Sequence, residues 1–129
     1  MLATSSIRQI PTDSNRLYAF RITGKVSAED MEAMAEHMNA AFDAHSEKID
    51  MLMIFDSYGG AETGAGWSWE NIKSRFRALS NVDRYLVVGA PEAADRMIEA
   101  MDKVIPVRAE AFDSEAAAWR ALGARELTA

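Results

Sequence analysis

The segment Ile49 to Phe55 reads IDMLMIF, apolar at every position but Asp50, and the run stops at Asp56. A strand with one solvated face alternates apolar and polar residues, whereas a nearly unbroken apolar run belongs to a strand covered on both faces. The segment is therefore read as the central strand of an α/β protein, and the rest of the chain must supply the two covering layers.

Before it, Ile7 to Ile10 reads as a short strand ended by Pro11, with turn residues at Asp13-Ser14-Asn15. Leu17 to Thr23, rich in β-branched and aromatic residues and closed by Gly24, reads as a second strand that pairs with the first as a hairpin. Ser27 to Asp30 has the form of a helix start, a hydroxyl cap with a carboxylate three residues on. Met31, Met34, Ala35, Met38, Ala41, Phe42 and His45 then recur at helical spacing, which predicts a helix over 28–45. Its other face carries Glu29, Glu32, Glu36 and Asp43, an acidic surface whose simplest reading is solvation.

After the central strand, Trp69, Ile72, Phe76 and Leu79 mark a helix with Lys73, Arg75 and Arg77 on its other side, basic where the first helix is acidic. Arg84 to Gly89 reads as a buried strand. Ala90-Pro91-Glu92 opens a helix with Ala94, Met97, Ile98 and Met101 inward, because proline suits a first turn. Ile105 to Phe112 leads through a last short strand, and Asp113-Ser114-Glu115 caps a closing helix that runs to Gly123, with the tail beyond Ala124 read as frayed. The order β, β, α, β, α, β, α, β, α predicts a small α/β sandwich with a largely parallel sheet, in one domain over residues 1–129.

Composition narrows function. The chain has no cysteine, which excludes disulfides, thiol catalysis and thiolate metal sites. A formal charge of −6 argues against general affinity for nucleic acid, which depends on phosphate neutralisation by Lys and Arg. No apolar run approaches the roughly 20 residues that span a bilayer, and Met1 to Arg16 has neither a long apolar core nor a basic leader, so a soluble, cytoplasmic protein is expected.

The stretch Phe55 to Trp69, FDSYGGAETGAGWSW, reads as a loop beyond the carboxyl end of the central strand, where open α/β sheets bind ligands. Gly59, Gly60, Gly64 and Gly66 allow close backbone approach, and Thr63 or Ser68 can cap the next helix. The spacing matches neither a Walker A loop nor a Gly-x-Gly-x-x-Gly fingerprint, so no nucleotide or other cofactor is called for. One reading is a connection with Trp69 in the core and Trp67 on the surface. The other makes Asp56, Ser57, Tyr58, Gly59, Gly60 and Trp67, with Trp69 and Lys73 behind them, the rim of a pocket or docking edge. Trp67 is the leading candidate, since aromatic residues are enriched at binding hot spots.

His37 and His45 stand eight residues apart on one helix, too far for ligands on adjacent turns, and no His-Glu-x-x-His motif occurs, so no metal is expected. No serine and histidine form a recognisable catalytic arrangement, so no catalytic residue is assigned. The eight methionines imply a pliable interior, either plain core packing or a cavity for an apolar ligand.

YAFRITGKVSAEDMEAM, MLMIFDSYGG, WSWENIKSRFRALSNVDRYLVVG and RAEAFDSEAAAWRAL together resemble the SpoIIAA-like branch of the STAS superfamily, small bacterial proteins similar to anti-sigma-factor antagonists. The match rests on Gly24 to Asp30, the apolar strand ending at Asp56, and the Phe112, Glu115-Ala116, Trp119 ending. The resemblance implies a mixed four- or five-stranded sheet with about four helices, in the fold also linked to lipid-binding CRAL-TRIO domains. Anti-sigma antagonists carry a phosphorylatable serine at the end of the central strand. Here the resemblance puts Tyr58 at that position, with Ser57 beside it. It implies a non-enzymatic regulatory or protein-interaction module, acting on a protein partner or as a homodimer. The alternative is a carrier or sensor of a lipid-like or anionic small molecule.

Overall fold

A computed structural model describes residues 2–61, 82–89 and 108–127, with the side chains of 57–61, 108 and 109 outside the description. Five strands form one mixed sheet: β1 (Ile7–Ile10), β2 (Leu17–Val26), β3 (Ile49–Ala61), β4 (Val82–Val88) and β5 (Arg108–Phe112). They lie side by side in chain order, β1 antiparallel to β2 and every later pair parallel. Two helices are described, α1 (Ala28–Ala44) and α2 (Glu115–Leu122). The helices expected around 69–79 and 91–101 lie outside the described residues.

The apolar run occupies the middle strand for the reason its sequence implies. Met51, Met53 and Phe55 join Phe20, Ile22, Val87 and the α1 stripe in one buried cluster. Leu52 and Ile54 join Ala19, Leu86, Val88 and the α2 residues Ala118 and Leu122 in a second. Alternate side chains of β3 thus enter opposite cores, one under each helix. The buried face of α1 is Met31, Met34, Ala35, Met38, Ala41 and Phe42, the stripe read from its spacing. Full burial of a side chain this size contributes roughly 1.5–3 kcal/mol, far more than helix propensity does, so the stripe sets the helix's position.

The helix ends follow local chemistry. Ser27 Oγ accepts from the Asp30 amide at the start of α1. The Asp30 carboxylate is also taken up by a longer-range network, accepting from the hydroxyls of Ser5 and Ser6 just before β1. Ser114 caps α2, and Gly123 closes it in the left-handed conformation at φ +66°.

Two expectations are corrected. β2 does not close at Gly24 and β3 does not end at Phe55. The two strands continue together to Val26 and Ala61, with Gly24 opposite Tyr58 and a register shift on either side of that glycine, whose φ is +64°. A ladder is held by backbone groups, so polar residues and glycines extend it wherever the neighbouring strand also extends. Nor is the tail after Ala124 free. The amide of Asp13 donates to the Arg125 carbonyl at 3.1 Å and that of Leu127 to the Pro11 carbonyl at 2.8 Å, so the β1–β2 turn pins it.

Along the outer edge of the sheet, residues 2–4 turn back on β1. The Gln9 amide donates to the Leu2 carbonyl at 2.9 Å, and the Leu2 amide donates to Gln9 Oε1 at 3.0 Å. Among the described residues, no helix is long and apolar enough to cross a membrane.

Candidate functional site

The carboxyl ends of the parallel strands gather charged groups on the α2 face. Ile54 faces α2, Phe55 faces α1, and the alternation returns Asp56 to the α2 side, where it is exposed and lies 3.4 Å from Arg21 Nη1 on β2. Arg21 spends its main bonds on Glu115, the first residue of α2, donating from Nη1 at 3.0 Å and Nη2 at 2.9 Å to the two carboxylate oxygens. This paired geometry fixes the guanidinium plane as well as its charge. Hydrogen bonds from Arg21 hold the Glu115 carboxyl below its usual range, outweighing partial burial, and the same contact raises the Arg21 pKa. A chain of charges therefore ties β3, β2 and the start of α2 together.

Ser57, Tyr58, Gly59 and Gly60 follow Asp56 within β3, not on a loop. Pairing with β4 stops at Ile54 opposite Val88, while pairing with β2 runs on to Ala61. Beyond Phe55 the β2–β3 pair thus outruns the β4 pairing. Asp56 to Gly60 are brought together as one strand segment. Trp67, Trp69 and Lys73 lie outside the described residues.

Gly89 stands at the same end. Its φ is +65°, and a Cβ there would meet the Phe55 carbonyl oxygen at 2.9 Å. Its amide reaches toward the Phe112 carbonyl at 3.4 Å. This close passage between strand ends was read from the sequence only as the end of a strand.

The opposite end of the sheet carries a structural ion pair. Arg84 on β4 donates from Nη2 to Asp50 Oδ2 at 2.8 Å and from Nη1 to the Ala121 carbonyl at 2.9 Å, so it both pairs across the sheet and caps the carboxyl end of α2. A cleft of about 290 Å³ lies here, walled by Asp50, Arg84, Arg16 and Asp83. Asp50 Oδ1 and Arg84 Nε are buried in it without a hydrogen-bond partner among the described residues. The sequence signal for this pair is its one irregularity, a carboxylate inside the apolar run.

Under the end of α1, Tyr18 Oη and His45 Nε2 are 2.8 Å apart. His37 presses edge-on against Tyr18 and Phe20, with Nε2 buried and unpartnered among the described residues. His37 lies on α1, whereas His45, expected within the helix, is its carboxyl-terminal cap in extended backbone. Among the described residues, no three metal-ligating side chains converge. Met31, Met34, Met38, Met51 and Met53 are at most 1% exposed and form the core beneath α1.

Comparison with known proteins agrees with this architecture. The family model described as SpoIIAA-like matches residues 17–121. A crystal structure of an uncharacterised protein of the DUF3478 family from Shewanella loihica PV-4, with a SpoIIAA-like fold, superposes with a TM-score of 0.68 at 20% identity, covering 95% of this chain and 98% of that one. No curated protein matches the chain.

Proposed function

We propose, from the premise that this chain belongs to the SpoIIAA-like family, that it is a non-enzymatic STAS-like module that docks onto another protein or a second copy through the carboxyl end of its sheet. The observation that carries the proposal is the placement of Asp56: exposed, at the end of the apolar core of the middle strand, and joined through Arg21 to the first residue of α2. A partner that engages Asp56 competes with Arg21 for that carboxylate and so acts on the Arg21–Glu115 contact that seats α2. The Ser57-Tyr58 pair, where the family resemblance puts a phosphoacceptor, follows directly along β3. A phosphate there would add negative charge to the strand segment that follows Asp56.

The test is light scattering on size-exclusion fractions over a wide concentration range, with pull-downs on the immobilised chain, comparing wild type with Asp56→Lys. A concentration-dependent dimer or a specific partner, lost in the variant, supports docking at this end. A monomer at every concentration with no partner recovered removes the reading. Intact-mass analysis of protein from native cells tests modification at Ser57 or Tyr58.

A second reading, a small-molecule carrier or sensor, is supported for anionic more than for lipid-like ligands. The described methionines are consumed by the core, and the cleft lined by Thr4, Ser5, Arg8, Arg21 and Thr23 presents only hydroxyl and cationic side chains.

A further inference from the structure

Arg8 on β1 and Arg21 on β2 are directly opposite in the antiparallel ladder. Like charges at facing positions repel, so a sheet has no structural reason to place two guanidinium groups there. Arg21 is offset by Glu115 and Asp56. Arg8 is exposed and takes part in no ion pair among the described residues. Between the two arginines opens a cleft of about 240 Å³ whose other walls are Thr4, Ser5 and Thr23, with no carboxylate in its lining.

We infer that this cleft is a binding site for a phosphate-type oxyanion held by Arg8 and Arg21. An uncommitted guanidinium offers a planar fork of donors that matches two oxygens of such an anion. The Arg21 plane is fixed by its paired bonds to Glu115, so one wall is ordered before any ligand arrives. A tetrahedral dianion supplies enough acceptor oxygens for both arginines and a hydroxyl such as that of Thr23, more than a carboxylate does, and offsets the charge of Arg8. Asp56 is not part of the lining, but Arg21 belongs both to this site and to the proposed docking surface, so the site is tested at Arg8 and Thr23, which leave the Asp56–Arg21–Glu115 contacts in place.

The experiment is a titration of the full chain with inorganic phosphate, and separately with glycerol phosphate, against chloride at matched ionic strength. It is followed by NMR at backbone amides and arginine Nε–H groups, in wild type, Arg8→Gln and Thr23→Val. Saturable shifts confined to Arg8, Arg21 and Thr23, with affinity at least about tenfold weaker in Arg8→Gln, are expected, since a charge-assisted bond is lost. Tighter binding of glycerol phosphate assigns the site to phosphomonoesters, and tighter binding of phosphate to the free ion. Shifts that never saturate, or affinity unchanged in Arg8→Gln while the variant keeps its melting temperature, overturn the inference.

Discussion

The carbonyl oxygen of Phe55 occupies the space that a side chain at Gly89 would need, 2.9 Å from an ideal Cβ there. Because the obstacle is backbone of the middle strand, it has little freedom to give way, and the glycine is also held at φ +65°.

Gly89→Ala is therefore expected to lower stability by about 2 kcal/mol or more, the sum of left-handed strain and displaced backbone. Gly123→Ala is the control. It has the same sign of φ but nothing within 4 Å of the added carbon, so it should cost only the strain, about 1 kcal/mol. Urea denaturation of the two variants checks the order; equal losses would show that the Phe55 contact is not limiting.

Removing Arg84 leaves Asp50 unpaired and takes one donor from the end of α2, at the Ala121 carbonyl. Breaking a fully buried pair costs roughly 3–5 kcal/mol. The side chains here are 27% and 15% exposed, so Arg84→Leu should cost about 2 kcal/mol after allowance for solvent screening. A double-mutant cycle with Asp50→Asn should show positive coupling. Additive losses would mean that Arg84 acts through α2 alone.

Burial holds the His37 imidazole below its ordinary pKa of 6.5. The unfolded chain then takes up its proton at higher pH than the folded one, so this contribution to stability is present above about pH 6.5 and is lost as pH falls through the folded value. Melting temperature is expected to decline between neutral and mildly acidic pH, and His37→Phe, packing on Tyr18 and Phe20, should flatten that part of the profile. An unchanged slope in the variant would place the proton uptake elsewhere.

Asp30 behaves in the more strongly acidic range. Burial disfavours its charge, but hydroxyl bonds from Ser6, Ser5, Thr4 and Ser27 outweigh that and hold its pKa below the ordinary 3.8. Its stabilisation is complete above the unfolded value and disappears as pH drops through the folded one. Asp30→Asn should reduce stability at neutral pH by about 1–2 kcal/mol and lessen the loss on acidification. Thermal melts across the acid range make the comparison.

Periodicity made most of this fold legible. The α1 stripe, the two-sided burial of Ile49 to Phe55 and the caps Ser27, Ser114 and Gly123 each depend on neighbours a few residues away, which spacing records. What spacing did not show is pairing across long separations. Arg21 meets Glu115 94 residues on, and Arg84 meets Asp50 34 residues back, contacts that exist only once the sheet has been assembled. Residues 57–61 read as a loop because their polarity and glycine content resemble a turn, whereas strand membership there is decided by the extension of β2 to Val26. The family resemblance supplied the position of Ser57 and Tyr58, which composition alone could not have distinguished.

The fold-back of residues 2–4 covers the outer edge of β1. An unprotected outer strand is a template on which further chains polymerise. Here the outward amide of Gln9 is already occupied by the Leu2 carbonyl, and the Ile7 carbonyl accepts from Thr4. The chain acts as its own terminator on that flank.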